Sequence, residues 1–222
     1  MKKTGQKQLT PHIVESLEII GSEVYILSFK RSFDFIPGQV VALSTDKGDS
    51  APRIYSICSG KDEPMISILF NVVPGGKLTN RLVTLKKGDT IYCSEPYGSF
   101  SSDSSPAYWI ASGTGIAPFY SMFKSGLGEN KIVIHGGRSR ESFYFQDKFE
   151  PILKERYIRC SSTAKEDGLY PGRLTHYLKQ SDGLETGFRY YLCGSAEMVV
   201  EARDILIEKG IPYEMILSEI YF

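Results

Sequence analysis

Cysteine is scarce in this chain of 222 residues: Cys58, Cys93, Cys160 and Cys193 are all it has. No two lie close enough for a Cys-x-x-Cys ligand pair, which argues against a zinc or iron–sulfur centre. Four dispersed thiols read as reduced and buried rather than as a disulfide frame, and a cytoplasmic location is expected. Net charge is also missing, since 26 Lys and Arg balance 26 Asp and Glu; a general nucleic-acid binder would carry a basic excess. No apolar run reaches membrane-spanning length, and residues 1–10 are basic and polar, unlike a secretory signal. His12, His135 and His176 are scattered and read as structural. Neither a Ser-His-Asp arrangement nor paired carboxylates suited to hydrolysis are found. Aromatic residues, by contrast, are plentiful: 14 Tyr and 12 Phe serve a core, a partner-facing surface or stacking on flat ligands.

The most organised stretch is Ala107-Tyr108-Trp109-Ile110-Ala111-Ser112-Gly113-Thr114-Gly115-Ile116-Ala117-Pro118. An apolar, strand-like run stops at Gly113, and Phe119, Tyr120, Met122 and Phe123 then recur at helical spacing. A strand, a glycine turn and a helix leave unpaired helix N–H groups facing the turn, which suits a phosphate. Gly115 lets a pyrophosphate approach the backbone, and Pro118 fits a first helical turn. The spacing departs from G-x-G-x-x-G at Pro118, and no acid ends the next strand to hold a ribose 2′-hydroxyl. Taken alone, the turn fits a structural corner as well as a nucleotide site.

Residues 12–100 carry short strand signals: one around Ile13, Leu17, Ile19 and Ile20, then residues 24–29, 40–43, 53–59, 65–72 and 91–93. Turn residues punctuate them, and the spacing predicts a closed antiparallel barrel. A helix is predicted over residues 77–85, straight after Pro74-Gly75-Gly76. Its first N–H groups, Lys77 and the Thr79 hydroxyl form a second candidate anion site, with an ordinary glycine turn as the alternative. Along Arg53-Ile54-Tyr55-Ser56-Ile57, alternation puts Arg53 and Tyr55 on one face and Ser56 on the other. A guanidinium beside a phenol ring can grip a phosphate and stack on a flat ring system.

The polar connector 101–106 divides a barrel domain, residues 1–102, from a second domain, residues 103–222. There, strands at 108–111, 131–135, 157–161, 189–193 and 213–217 alternate with helices near 116–125, 145–155, 173–179 and 196–209. This alternation predicts a doubly wound, parallel, five-stranded α/β sheet with ligands at the C-terminal strand ends. Those ends read Gly113-Thr114-Gly115, Gly136-Gly137-Arg138-Ser139, Ser161-Ser162-Thr163 with Lys165 and Arg173 following, and Cys193-Gly194-Ser195. None is a carboxylate, so the lip is expected to take an anionic ligand.

In their order these pieces resemble the ferredoxin–NADP⁺ reductase family of flavoenzymes, over residues 13–222. Arg53-Ile54-Tyr55-Ser56-Ile57 is similar to the family's R-x-Y-S flavin motif, and Gly76-Lys77-Leu78-Thr79 to its flavin-pyrophosphate helix. Pro96-Tyr97-Gly98-Ser99-Phe100 resembles the barrel exit. Gly113-Thr114-Gly115-Ile116-Ala117-Pro118 and Leu192-Cys193-Gly194 resemble the nicotinamide-nucleotide motifs, and Ser218-Glu219-Ile220-Tyr221-Phe222 the aromatic ending.

The resemblance implies FAD as cofactor and NADP(H) as cosubstrate, with NAD(H) open, and hydride transfer between nicotinamide C4 and flavin N5. Ferredoxin or flavodoxin is the implied partner. Arg53 would bind the FAD pyrophosphate, Tyr55 would stack on the isoalloxazine, and Ser56 would lie near N5, with Ile57 beside it. Gly76, Lys77, Leu78 and Thr79 would hold phosphate, and Thr114 would reach the flavin. Residues 113–118, Arg138, Ser139, Ser162 and Gly194 would bind the nucleotide, with Cys193 beside the nicotinamide. Glu219 matches an acid near the reacting atoms; Tyr221 would cover the other flavin face and Phe222 contact the adenine. Thr163 stands where NADPH-selective members commonly carry Arg, leaving Lys165 and Arg173 to meet a 2′-phosphate. No iron–sulfur domain accompanies these motifs, so electrons are expected to leave to a separate acceptor. A reductase for free flavin, a haem protein or an oxygenase is the alternative, and a non-catalytic redox sensor a further one.

Overall fold

The computed structural model describes residues 8–49, 51–163 and 165–221. Most of the basic N-terminal stretch and Phe222 therefore lie outside the described residues.

Six strands form the first layer: β1 (Leu9–Gly21), β2 (Val24–Lys30), β3 (Val40–Ser44), β4 (Arg53–Ser56), β5 (Met65–Asn71) and β6 (Thr90–Ser94). Their order is β4-β3-β6-β1-β2-β5, every named pairing antiparallel. The Ile57–Ile68 bridge and the Cys58 N–H to Ser67 carbonyl bond (2.8 Å) join the two ends, so the sheet closes on itself as the turn spacing predicts. Phe29, Val41, Leu43, Ile57, Ile66 and Ile68 fill the interior. The helix α1 (Lys77–Leu82) seats Leu82 on that core, with Leu78 and Leu85 packed beside it. β4 ends at Ser56, short of the expected 59, because the chain there changes partner from β3 to β5 through the Ile57–Ile68 bridge.

The second layer is parallel. β7 (Ala107–Ser112), β8 (Lys131–Gly137), β9 (Tyr157–Ser161), β10 (Tyr170–Pro171), β11 (Arg189–Ser195) and β12 (Ile216–Tyr221) stand in the order β10-β9-β8-β7-β11-β12. The helices are α2 (Ala117–Met122), α3 (Gln146–Leu153), α4 (Leu174–Gln180) and α5 (Ala196–Glu208). Six strands replace the five expected. β10 is two residues long and ends in proline, tolerable only at a sheet edge, so no periodicity announces it. The last strand also shifts from 213–217 to Ile216–Tyr221. Pro212 starts a tight turn that Met215 closes through its N–H (2.9 Å), which delays the strand. The helix expected at 116–125 divides into a 3₁₀ turn at Gly113–Ile116, α2, and a π-turn at Phe123–Leu127, where Gly126 takes φ +86°.

The two layers share one apolar cluster. Val24, Cys58 and Leu69 of the barrel pack in it with Trp109, Phe119, Phe149 and Tyr191 of the parallel domain. Phe100, at the barrel exit, meets Phe119 and Tyr191, each 5.7 Å between ring centroids. Ser121 Oγ donates to the Ser59 carbonyl (2.7 Å) across the same junction. The connector is pinned from beneath: the buried Lys131 ammonium donates to the carbonyls of Asp103 (2.9 Å) and Ser105 (2.6 Å) over the Trp109 ring.

Gly38 tests this junction. It holds φ +98°, and a Cβ there would overlap the Phe100 carbonyl oxygen and the Met122 methyl group. Gly75, at φ +73°, has open space around it. Gly75→Ala should cost about 1–2 kcal/mol for the left-handed backbone alone. Gly38→Ala adds overpacking and should cost roughly 3 kcal/mol or more. Urea unfolding of the two variants checks this; equal losses would show that the Gly38 contact with Phe100 and Met122 carries no weight.

Candidate active site

β4 brings three predicted residues to one edge of the barrel. Its register sets Arg53 opposite Leu43 and Tyr55 opposite Val41, so both share the face of core residues. Tyr55 is half-buried, edge-on to Phe70 at 6.4 Å, and burial pushes its phenol pKa up to about 12. Arg53 sits at the exposed end and donates to the Ala51 carbonyl (2.8 Å). Asp49 lies close enough for Arg53 and Arg81 to lower its pKa, after the larger effects of hydrogen bonds from Ser44 and Ala51. Arg81, which also reaches Asp46 at 2.6 Å, is a second cation of this rim that the sequence reading missed. Its one signal was its place in the last turn of α1.

At α1, Gly76 lies so close to the Val73 carbonyl that a Cβ would stand 2.9 Å from it, and Thr79 Oγ1 accepts the Val73 N–H (3.1 Å). The Thr79 hydroxyl keeps its proton to donate. Lys77 opens the helix and Leu78 packs on the barrel core. Ile57 buries its side chain fully and its N–H bonds the Gln39 carbonyl (3.1 Å), so a ligand there would meet its main-chain carbonyl.

Ser56 points away from Tyr55, as alternation requires, and there it meets the other domain. Tyr221 donates its phenol proton to Ser56 Oγ (2.7 Å), and Ser56 Oγ donates to Glu219 Oε2 (3.1 Å). The β11–β12 register places Cys193 opposite Glu219 and Ser195 opposite Tyr221. Burial pushes the Glu219 carboxyl above its ordinary pKa, and the Ser56 hydrogen bond offsets part of that rise. Burial likewise raises the Cys193 thiol and the Tyr221 phenol well above their usual values, the neighbouring Glu219 charge adding to the first. Tyr97 belongs to the same cluster: burial raises its pKa, and the Glu219 and Cys193 charges add to it. Four sequence-predicted residues thus converge, and Tyr97 joins them from the barrel exit.

The strand-end lip of the parallel domain lies beside this cluster. Gly113 takes φ +53° and Gly194 φ +148°. A Cβ on Gly115 would overlap the Cys193 carbonyl, and one on Gly194 would overlap Ser112 Oγ, so the turn and the end of β11 interlock at the point where strand order reverses. Residues 115–118 are buried, which leaves the turn's backbone rather than those side chains for a ligand. His135 is structural as expected: it is buried, bonds the Tyr157 hydroxyl (3.1 Å) and the Gly113 carbonyl (3.3 Å), and burial lowers its pKa to about 4.

A cavity of about 300 Å³ opens along these strand ends, lined among others by Ser112, Gly113, Arg138, Ser162, Arg173 and Ser195. The Thr163 hydroxyl bonds the Arg138 carbonyl, Ser139 Oγ donates to Glu141 (2.5 Å), and neither residue lines the cavity; nor do Thr114, Lys165, Cys193 and Gly194. The lip expected to take an anion also carries acids, from outside the strand ends. Glu197 and Glu201, from the first turns of α5, line the same cavity, and Glu197 holds Arg173 at 3.0 Å. The strand ends themselves carry no acid; the helix behind them does. A second cavity, about 350 Å³, lies at the opposite strand ends around Tyr108, Ile132 and Arg156, away from the cluster described above.

Comparison with known proteins agrees with this geometry. Residues 11–101 match the oxidoreductase FAD-binding domain family, and residues 109–204 the oxidoreductase NAD-binding domain family. The chain is 29% identical over 214 residues to the ferredoxin–NADP reductase of Azotobacter vinelandii, covering 82% of this chain and 83% of that protein. It is 31% identical over 190 residues to the toluate 1,2-dioxygenase electron transfer component of Pseudomonas putida, covering 80% of this chain and 56% of that protein. The chain thus spans just over half the length of the latter. The crystal structure of a ferredoxin NADP⁺ reductase from Neisseria gonorrhoeae with bound FAD and NADP superposes with a TM-score of 0.87, with 20% identity, over 97% of this chain and 99% of that one. Among the described residues no helix is long and apolar enough to cross a membrane.

Removing the Ser56 hydroxyl should leave the Glu219 carboxylate without its donor and raise its pKa further. A charge-assisted hydrogen bond at a half-buried site is worth roughly one pH unit. Carboxyl-carbon NMR titration of Ser56→Ala reads the shift directly. An unchanged or lower Glu219 pKa would contradict the donation from Ser56.

Proposed function

We propose that this chain, which belongs to the ferredoxin–NADP⁺ reductase family, is an FAD-dependent oxidoreductase that passes electrons between NAD(P)H and a one-electron carrier such as ferredoxin or flavodoxin. The observation that carries the reading is the meeting of Ser56 from the barrel with Glu219 and Tyr221 from β12, beside Cys193 at the end of β11. The residue types present fit the cofactor: a cation and a phenol on one strand face, and a glycine entry to α1 that a side chain would fill. Bound FAD supplies a hydride acceptor that can release its electrons one at a time.

In this reading Arg53 binds the pyrophosphate by charge-assisted hydrogen bonds, with Lys77 and the Thr79 hydroxyl at the α1 entry. Tyr55 offers its ring for stacking. The Gly113–Ile116 turn offers backbone N–H groups to the dinucleotide pyrophosphate, and Arg138 and Ser162 line its path. Ser56 orients the reacting edge, and Glu219, through Ser56, provides a carboxyl whose raised pKa lets it hold a proton nearer neutrality. Cys193, kept as a thiol by burial, provides a small neutral wall. Tyr221, held by Ser56, would cover the flavin face on this reading and would have to move for a nicotinamide to stack there. On this reading the two domains divide between residues 102 and 103. An oxygenase as electron acceptor is the second reading, supported by the likeness to the toluate dioxygenase component.

Cytochrome c reduction with NADPH, measured with and without added ferredoxin, tests the acceptor; a rate indifferent to ferredoxin would favour the oxygenase reading. Arg53→Ala should purify with several-fold less flavin while its circular dichroism spectrum is retained, and full flavin content would refute the phosphate contact. Tyr221→Ala should raise the NADH rate and strengthen the charge-transfer band formed with reduced nucleotide. If neither changes, Tyr221 has no covering role.

A further inference from the structure

Resting on the dinucleotide reading above, we propose that Glu197 restrains selection for a 2′-phosphate by occupying Arg173, so that the cavity accepts NADH as well as NADPH. With the pyrophosphate at the Gly113 turn and the nicotinamide toward Cys193, the adenosine end runs outward along the cavity toward Ser162 and Arg173. Arg173 lines that cavity and holds the N-cap position of α4, with no side-chain hydrogen bond to the helix start. Its guanidinium already meets the Glu197 carboxylate at 3.0 Å. Glu197 lies in the first turn of α5, where the helix dipole favours an acid whatever the ligand. Two carboxylates, Glu197 and Glu201, stand against two guanidinium groups, Arg138 and Arg173, among the residues lining the cavity. A dianionic 2′-phosphate therefore has to displace Glu197 from Arg173 before that guanidinium can clamp it. A 2′-hydroxyl has no such conflict and can donate to the carboxylate. The two side chains are 67% and 76% exposed, so their pairing is weak enough to be displaced and the discrimination is graded rather than absolute.

The test uses the full, flavin-loaded chain. Calorimetric titration with adenosine 2′,5′-bisphosphate and with AMP, on the natural protein and on Glu197→Gln, separates the phosphate's contribution from that of the shared adenosine. Glu197→Gln should tighten the bisphosphate roughly fivefold, equivalent to about 1 kcal/mol, and change AMP less than twofold. The KM for NADPH should fall relative to that for NADH by a similar factor. In an Arg173→Gln background that gain should vanish, because Glu197 acts by holding Arg173. Equal changes for both nucleotides, or a gain that survives Arg173→Gln, would overturn the proposal. Loss of the variant through unfolding is not expected, since Glu197 is exposed. If neither nucleotide bound the natural protein, the dinucleotide reading itself would fall, and this inference with it.

Discussion

The apolar cluster shared by the two sheets is the constraint on which everything else in this protein depends. Val24, Cys58 and Leu69 come from the barrel, and Trp109, Phe119 and Tyr191 from the parallel domain, yet they form one continuous core. Burial is non-directional and cannot by itself set a hydrogen bond. What it does is fix the edge of the barrel that carries β4 against the strand ends that carry β11 and β12. Phe100 is the wedge at the centre, its ring edge-on to Tyr191 and tilted on Phe119. Once that wedge is seated, Ser56 lies within hydrogen-bond reach of two residues more than 160 positions away in the chain.

The polar cluster at the junction is therefore a product of packing, and packing also sets its electrostatics. Glu219, Cys193, Tyr221 and Tyr97 all have their pKa values raised, and burial is the first cause for each. Burial thus favours the protonated form of every acid in the cluster, and the Ser56 hydrogen bond opposes this at Glu219. The run of hydroxyl donors from Tyr221 through Ser56 gives Glu219 a directed partner instead of bulk water. Glu219 and Tyr221 are two residues apart on β12 and so share a face, which is why one serine can engage both.

Much of this was legible in the chain because the two domains obey different periods. Alternation at two in the first half and strand–helix alternation in the second gave both layers, and the motif set placed Ser56, Cys193, Glu219 and Tyr221 at what proves to be one locus. What escaped had no periodic signal. β10 is too short to have one, and the onset of β12 was displaced by Pro212. Glu197 and Glu201 were missed for a different reason: the strand-end rule inspects the residues leaving each strand, while these acids sit a turn into the helix beyond and reach back. Tyr97 was visible only as part of a barrel-exit motif, and its neighbours come from the far end of the sequence.

The substitution of Pro118 for the last glycine of the usual fingerprint has a physical explanation in the same region. The third glycine of that fingerprint serves close packing between helix and strand. Here the close approach is made one strand over. Gly115 has no room for a Cβ because the Cys193 carbonyl occupies it, and Gly194 has none because Ser112 Oγ does. These two glycines, one on the turn and one at the end of β11, interlock at the place where the strand order reverses. Pro118 itself is buried in the first turn of α2. A proline within the first turn of α2 gives up no hydrogen bond, since that N–H has no intrahelical partner, and it pre-sets the helical backbone. The turn thus keeps its geometry while its sequence departs from the fingerprint, because the requirement is for space between two backbones and not for glycine at every position.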